Sequence, residues 1–150
     1  PGLSKQWGVV VFGKQAEQYA SLFPFPIYPM NYVSNEKELV DIYNAVDLYV
    51  TPSLQDNLPN TIVEAMACGI PCVGFNVGGI PQMIDHLHNG YVAEYQSAKD
   101  LANGIRWTLT EGEYDNLSEE ACRKALSSYS ESIISMRYID IYNKITGSHA

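Results

Sequence analysis

The segment Asp56–Pro81 restricts the fold of this chain most, because its residues specify several consecutive pieces of structure. A loop leads into a predicted helix over residues 58–68. Gly69 suits the left-handed conformation that ends many helices, and Pro71 prevents the helix from continuing. The apolar run Cys72–Phe75 predicts a buried strand, and a glycine loop follows it. A helix that returns directly to a buried strand is typical of layered α/β proteins.

The rest of the chain alternates in the same way. The apolar run Val9–Phe12 predicts a strand buried on both faces, Asp47–Val50 predicts a further strand, and Tyr91–Ala93 predicts a last short strand. From Ser118 onward only helical patterns are found. We therefore predict an α/β, Rossmann-like fold with a mostly parallel sheet, flanking helices and a helical C-terminal tail, as one domain over residues 1–150.

Local signals predict where several helices begin and end. Asn35 and Ser97 are N-cap candidates, and Glu38 is placed to complete a capping box with Asn35. Helices are also expected over residues 14–22 and 80–87, the second one ahead of a turn at Asn89-Gly90. Apolar residues at helical spacing mark two tail helices: Ala121, Ala125 and Leu126 in one, and Ile134, Tyr138, Ile141, Tyr142 and Ile145 in the other.

The composition argues against several classes of function. The net charge of -8 would repel a nucleic-acid backbone, so no nucleic-acid partner is expected. An odd count of three cysteines argues against a disulfide framework and fits a reducing, cytoplasmic compartment. Cys68 and Cys72 are interpreted as small core residues, and His86 and His88 as part of a surface turn, so no metal site is expected.

The start of the predicted 58–68 helix offers groups that suit an anion. The N–H groups of Asn60 and Thr61 have no intrahelical acceptor, and the helix dipole favours an anion there by roughly 0.3–2 kcal/mol. Glu64 lies on the same face and could accept two hydrogen bonds from a vicinal diol such as a ribose. Asp56, before the helix, could accept hydrogen bonds from sugar hydroxyls. A sugar attached to a nucleoside diphosphate carries all of these groups.

Each of these features also has a purely structural interpretation. An acid near a helix N-terminus, such as Asp56, is often only a dipole or capping partner. A glycine pair often only makes a turn, but Gly78-Gly79 follows a buried strand, where N–H groups can approach a ligand without interference from a Cβ. Glu64 is harder to explain structurally, because it lies mid-helix between Val63 and Ala65.

Three separated motifs, in this order, carry a resemblance to a known family. They are Glu64–Val73, Gly78–Pro81 and Asn89–Val92. Together they resemble the C-terminal domain of a retaining glycosyltransferase with the GT-B fold, of the group 1 type (family GT4). The resemblance runs from about Gly8 to Ile145, and the seven residues between Asp56 and Glu64 match the spacing of the two acids at the donor site of such enzymes.

The resemblance implies a role for each candidate residue. Glu64 would bind the donor ribose, Asp56 the transferred sugar, and residues 28–33 the nucleobase. The residues implied to bind the donor are Asn57, Leu58, Asn60, Thr61, Glu64, Gly78 and Gly79, and those implied to be catalytic are Asp56 and Glu64. The donor would be a UDP- or GDP-sugar, with no metal or other cofactor, because the leaving diphosphate itself helps to take the acceptor proton.

The resemblance also implies a part that this chain lacks. A glycan or lipid-linked acceptor would be bound by an N-terminal domain, which would also make any contact with the inner face of the membrane. The chain departs from the family pattern in having Asp56 and Gln82 where Glu is usual, and in lacking the upstream Arg and Lys that steady the diphosphate. Two other functions stay open at this point: a nucleotide-sugar 2-epimerase of the same fold, and a non-catalytic nucleotide-binding module.

Overall fold

The computed structural model describes residues 7–12, 16–19, 24–30 and 33–147. The chain divides into two compact units, Pro1–Val46 and Asp47–Ala150.

The first unit contains a two-stranded parallel sheet. Its strands are β1 (Val9–Phe12) and β2 (Ile27–Met30), with a 3₁₀ helix (Ala16–Tyr19) between them and helix α1 (Glu36–Asn44) after them. The predicted helix over residues 14–22 is described only at this 3₁₀ turn, and its other residues lie outside the described ranges. Two strands and one helix can bury only a small core.

Among the described residues of the first unit, the buried ones lie on α1 and the 3₁₀ helix. Ile42, Tyr43 and Ala16 are buried, and the ring of Tyr43 meets that of Phe12 edge-on at 5.9 Å. The predicted N-cap of α1 is confirmed, because the Asn35 side chain accepts a hydrogen bond from the Lys37 N–H at 2.9 Å. The expected capping box would instead use the N–H of Glu38, one residue further along the helix.

The second unit contains a three-stranded parallel sheet in the order β3-β4-β5. The strands are β3 (Tyr49–Thr51), β4 (Cys72–Phe75) and β5 (Gly90–Ala93). The helices are α2 (Asn60–Ala67), α3 (Ile80–Met83), α4 (Ala98–Thr110), α5 (Tyr114–Tyr129) and α6 (Glu131–Thr146). Because neighbouring strands are parallel, the loops after β3 and β4 emerge at the same edge of the sheet.

The core of the second unit lies where α2 packs against β4 and α5. Ile62, Ala65 and Met66 form the inner face of α2, and none of them is exposed. Gly69 has the predicted left-handed conformation, with φ at +74°, and the strand Cys72–Phe75 has the predicted bounds. This helix–turn–strand unit was specified locally by the sequence, and the structure confirms it.

Helix α3 is shorter than predicted, because it ends at Met83 rather than at residue 87. Ile84 is extended, and the chain then turns at residues 87–89 ahead of β5. The Asn89 side chain is buried and accepts a hydrogen bond from the Asp85 N–H at 2.9 Å. The predicted turn at this position is therefore closed by a buried amide, which satisfies the backbone that leaves the helix.

The two predicted tail helices are present as α5 and α6, but their apolar residues are placed differently. On α5, Ala121 and Ala125 are buried, whereas Leu126 is 59% exposed. Helix α6 has no buried residue, and Ile145 is 76% exposed. Within the described part of the chain, no helix combines the length and the apolar character needed to cross a membrane.

Candidate functional site

An open cleft of about 440 Å³ lies at the edge of the sheet where β3 and β4 end. It is lined by Gln55, Asp56, Asn57, Val77 and Gly78. The first three residues belong to the loop after β3, and the other two belong to the loop after β4. The cleft therefore brings together three of the candidate residues, which come from two separate motifs.

The glycine pair lets these two loops touch backbone to backbone. A Cβ on Gly78 would lie 1.7 Å from the carbonyl oxygen of Asp56, and a Cβ on Gly79 would lie 1.9 Å from that of Asn57. Gly78 also has φ at +55°, in the left-handed region that L side chains avoid. The pair thus has a packing reason to be glycine, in addition to the expected approach of a ligand to its N–H groups.

The N-terminus of α2 lies next along the chain, and its N-cap residue makes no side-chain capping bond. Pro59 is the N-cap residue, and the helix starts at Asn60, two residues later than predicted. Ile62 N–H donates to the Pro59 carbonyl at 3.1 Å, whereas the N–H groups of Asn60 and Thr61 precede any intrahelical acceptor. The first turn of α2 contains no acidic residue, so its positive dipole end is not offset locally.

Glu64 is half-buried on α2, one turn into the helix. Its negative charge and that of Asp56 both act on the side chain of Tyr49, although the two acids come from different elements. Both candidate acids therefore lie close enough to the Tyr49 side chain to affect its pKa.

Tyr49, which is not among the residues predicted from the sequence, contacts the candidate residue Thr61. It is the first residue of β3, and its hydroxyl donates to Thr61 Oγ1 at 2.9 Å. Burial raises the pKa of Tyr49, the hydrogen bond to Thr61 opposes that shift, and the negative charges of Glu64 and Asp56 raise the pKa further. In the sequence, the only signal for this role is a hydroxyl-bearing aromatic residue within a short predicted strand.

A second tyrosine links the loops at this edge of the sheet. The Tyr95 hydroxyl, just after β5, donates to the Leu54 carbonyl at 3.3 Å. The Asn76 N–H, just after β4, donates to the Ala93 carbonyl at 2.7 Å. Leu54 and Leu58 are about half exposed beside Asp56. The loop that carries Asp56 is thus attached to the end of β5 through the Leu54 carbonyl.

His86 and Cys72 have structural partners. His86 Nδ1 accepts from the Val92 N–H at 3.1 Å, and the His86 ring lies 4.5 Å from that of Tyr91. Cys72 is fully buried, as expected, and burial strongly raises the pKa of its thiol. In the described ranges, no three or more His, Cys, Asp or Glu side chains gather closely enough to hold a metal ion.

The candidate residues for the nucleobase belong to the first unit. Tyr28 is 57% exposed on β2, and residues 31 and 32 lie outside the described ranges. The assignment of residues 28–33 to the nucleobase stays a prediction, as do the roles assigned to Asp56, Glu64 and the residues around them.

Comparison with curated proteins relates the chain to enzymes that transfer sugars. It is 30% identical over 117 residues to the N,N'-diacetylbacillosaminyl-diphospho-undecaprenol alpha-1,3-N-acetylgalactosaminyltransferase of Campylobacter jejuni, which covers 77% of this chain and 31% of that protein. It is 29% identical over 112 residues to the N-acetyl-alpha-D-glucosaminyl L-malate synthase of Bacillus anthracis, which covers 74% of this chain and 29% of that enzyme. The chain spans about a third of the length of these relatives.

Comparison with solved structures concerns the fold. HepE from Anabaena, solved in complex with UDP, superposes with a TM-score of 0.81 at 19% identity, over 94% of this chain and 42% of that one. The sucrose-phosphate synthase of Thermosynechococcus elongatus superposes with a TM-score of 0.79 at 19% identity, over 96% and 39%. These similarities show the Rossmann-like C-terminal half of the GT-B fold, as the sequence predicted.

A family profile supplies the remaining finding. The profile described as glycosyl transferases group 1 matches residues 29–125, which include β3, α2, β4 and the cleft between their loops. Since this match covers more than half of the chain and contains every motif on which the resemblance rested, the chain belongs to the glycosyl transferases group 1 family.

Proposed function

We propose that this chain is the donor-binding part of a retaining glycosyltransferase. The enzyme would move a hexosyl group from a UDP- or GDP-sugar to a glycan or lipid-linked acceptor. One observation carries the proposal: Asp56 and Gly78, from the loops after β3 and β4, line one cleft at the carboxyl edge of a parallel sheet, and the loop of Asp56 leads directly into α2. Sheets of this type bind their ligands at that edge.

The relatives support the chemical class of donor and acceptor. The Campylobacter jejuni relative is named for transfer of N-acetylgalactosamine to a diphospho-undecaprenol-linked sugar, and an Escherichia coli relative is named as a UDP-Gal-dependent galactosyltransferase acting on a diphosphoundecaprenol acceptor. HepE has been solved with UDP and with UDP-glucose. A nucleotide-sugar donor and a lipid-linked acceptor are therefore the first substrates to test.

The start of α2, which follows the cleft loop along the chain, would receive the diphosphate. The N–H groups of Asn60 and Thr61 point along the helix axis, where the dipole favours an anion by roughly 0.3–2 kcal/mol. Donors that are already in place cost little reorganisation when charge develops on the leaving diphosphate. This arrangement offsets the charge without a metal ion, so the proposal includes a metal-free reaction.

The two acids would bind hydroxyl groups on either side of the diphosphate. Glu64, one turn inside α2, would accept hydrogen bonds from the ribose diol, and Asp56 in the loop would accept them from the transferred sugar. For retention, the acceptor would attack from the face that the diphosphate leaves, and the departing diphosphate oxygen would take its proton. Neither acid is then required as a covalent nucleophile.

The proposal also concerns what the chain does by itself. Since it spans about a third of its relatives, we infer that the acceptor side of the active site is contributed by residues outside this sequence. The 150 residues alone would bind a nucleotide sugar weakly and turn it over slowly, because half of the positioning groups would be absent.

A ribose-specific binding experiment tests the central assignment. In the full-length protein, Glu64→Ala should raise the Kd for UDP or GDP by about tenfold or more, which is typical for loss of hydrogen bonds to a charged group. It should also abolish the preference for the nucleotide over its 2′-deoxy analogue. Glu119→Gln, an exposed acid on α5, serves as the matched control and should leave both values unchanged.

Two outcomes would contradict the proposal at different levels. If Glu64→Ala keeps both the affinity and the discrimination against the 2′-deoxy analogue, the ribose assignment is wrong. If the wild-type protein releases an epimerised nucleotide sugar without any acceptor, the chain belongs to a 2-epimerase rather than to a transferase. Product analysis by mass spectrometry and NMR distinguishes these reactions.

A further inference from the structure

We propose that Tyr49 is a positioning residue for the donor site, because its hydroxyl joins the sheet to the first turn of α2 through Thr61. By holding that turn in place, Tyr49 would keep the N–H groups at the start of α2 directed at the diphosphate. The inference rests on the proposed function, since it concerns how the same site binds a nucleoside diphosphate.

Tyr49 is fixed at its backbone before its side chain reaches the helix. Its N–H donates to the Pro71 carbonyl at 3.0 Å, and it lies opposite Cys72 in the parallel register of β3 and β4. A tyrosine side chain has only two rotatable bonds before a rigid ring, so its hydroxyl is placed with little loss of entropy. The 2.9 Å hydrogen bond to Thr61 Oγ1 therefore holds the first turn of α2 in a fixed position relative to the sheet.

The first turn of α2 needs such a connection because its N-cap residue cannot supply one. Pro59 has no side-chain hydrogen-bonding group, and no capping bond is made there. A Ser, Thr, Asp or Asn at that position would normally satisfy the N–H of the second or third helical residue. Here the turn is held through the side chain of its second residue, Thr61, which accepts the hydrogen bond from Tyr49. Preorganised donors bind an anion more tightly than mobile ones.

The electrostatic surroundings keep the Tyr49 hydroxyl in its donor form. Its pKa is raised, first by burial and further by the negative charges of Glu64 and Asp56, against the lowering effect of the hydrogen bond to Thr61. A raised pKa means that the hydroxyl stays protonated throughout the neutral range. The contribution of Tyr49 to binding should therefore not change between pH 6 and pH 9.

The test compares ligands with and without the diphosphate in the full-length protein. Tyr49→Phe removes the hydroxyl and keeps the ring. It should raise the Kd for UDP or GDP about three- to tenfold, the usual range for one lost hydrogen bond, and leave the Kd for uridine or guanosine unchanged. Thr61→Val should have a similar effect. The double variant should bind UDP or GDP with the same Kd as Thr61→Val alone, because both changes remove the same hydrogen bond.

A matched control separates positioning from general stability. Tyr91→Phe removes a comparable hydrogen bond, from the Tyr91 hydroxyl to Asp100 Oδ1 at 3.0 Å, on β5 of the same unit. It should lower Tm by an amount similar to Tyr49→Phe and leave the diphosphate Kd unchanged.

Three results would overturn the inference. In the first, Tyr49→Phe binds UDP or GDP with the same Kd as the wild type. In the second, its affinity for the nucleoside falls as much as its affinity for the diphosphate. In the third, the effects of the two single changes on the Kd for UDP or GDP are additive in the double variant. In each case the wild-type protein still binds UDP or GDP, so the proposed function stands. If the wild type binds no nucleoside diphosphate, both the inference and the proposed function fail.

Discussion

A methyl group added at Gly78 would lie 1.7 Å from the carbonyl oxygen of Asp56, and one added at Gly79 would lie 1.9 Å from that of Asn57. Both neighbours are backbone atoms, which cannot rotate away as the end of a side chain can. The shape of the cleft at the end of β3 therefore depends on two residues of the other loop having no Cβ.

Gly78→Ala should destabilise the protein much more than Gly147→Ala. Both glycines have positive φ, +55° and +70°, but nothing lies within 4 Å of a Cβ at Gly147. The control change should cost about 1 kcal/mol for the left-handed backbone alone. Gly78→Ala should cost about 3 kcal/mol, because the loop of Asp56 must also move. Urea unfolding measures both values, and equal losses would contradict the packing role of Gly78.

Single residues also show where sequence patterns are reliable. Gly69 was predicted to be left-handed, and the structure confirms it, because helix termination depends on a few adjacent residues. The glycine pair was interpreted through its N–H groups, but its close contact with Asp56 and Asn57 involves residues about 20 positions away. The sequence predicts Tyr49 only as part of a strand for the same reason: its partner Thr61 is 12 residues further along the chain.

At the scale of elements, α4 shows how a predicted cap stabilises a helix. The Ser97 hydroxyl accepts a hydrogen bond from the Asp100 N–H at 3.2 Å, which confirms the predicted cap. The Asp100 carboxylate accepts further hydrogen bonds from the Glu94 N–H at 2.8 Å and from the Tyr91 hydroxyl at 3.0 Å. The start of α4 is thus held both by its own cap and by the end of β5.

Ser97→Ala should lower the free energy of unfolding by about 1 kcal/mol, which is typical for loss of a capping hydrogen bond. Ser130 is a suitable comparison, because it is the N-cap residue of α6 and its side chain makes no capping bond. Ser130→Ala should therefore change the stability by only a few tenths of a kcal/mol. Denaturant unfolding of the two variants at one pH is the measurement. A Ser130→Ala loss as large as that of Ser97→Ala would show that the capping bond is not the cause.

The elements also differ in how much of their environment the sequence predicts. The existence of β4, α4 and α6 follows from local patterns, and all three are present. The pairing order β3-β4-β5 and the placement of a helix face depend on partners that are distant in sequence. Helix α6 illustrates this difference: its apolar periodicity predicted a helix, yet Tyr138 and Ile145 are exposed. Periodicity gives the conformation, whereas burial depends on what packs against it.

At the scale of the whole molecule, the two units differ in the size of their cores. In the described part of Pro1–Val46, the buried apolar residues are Ala16, Ile42 and Tyr43. The unit Asp47–Ala150 has its own three-stranded sheet and a much larger buried set, which includes Ile62, Met66, Ile80, Met83, Ile84 and Leu117. Apolar burial is the main term that favours folding, so most of the stabilisation resides in the second unit.

We therefore expect a fragment of residues 47–150 to fold by itself, and a fragment of residues 1–46 to remain unfolded. A chain as short as the second of these rarely buries enough apolar surface to offset its conformational entropy. Circular dichroism should show one cooperative thermal transition for residues 47–150, with near-UV signals from its packed aromatic residues. As an internal control, Ile62→Ala, at a fully buried position, should lower the stability of the fragment by about 2–5 kcal/mol. A fragment 47–150 that melts without cooperativity would show that its core depends on residues before Asp47.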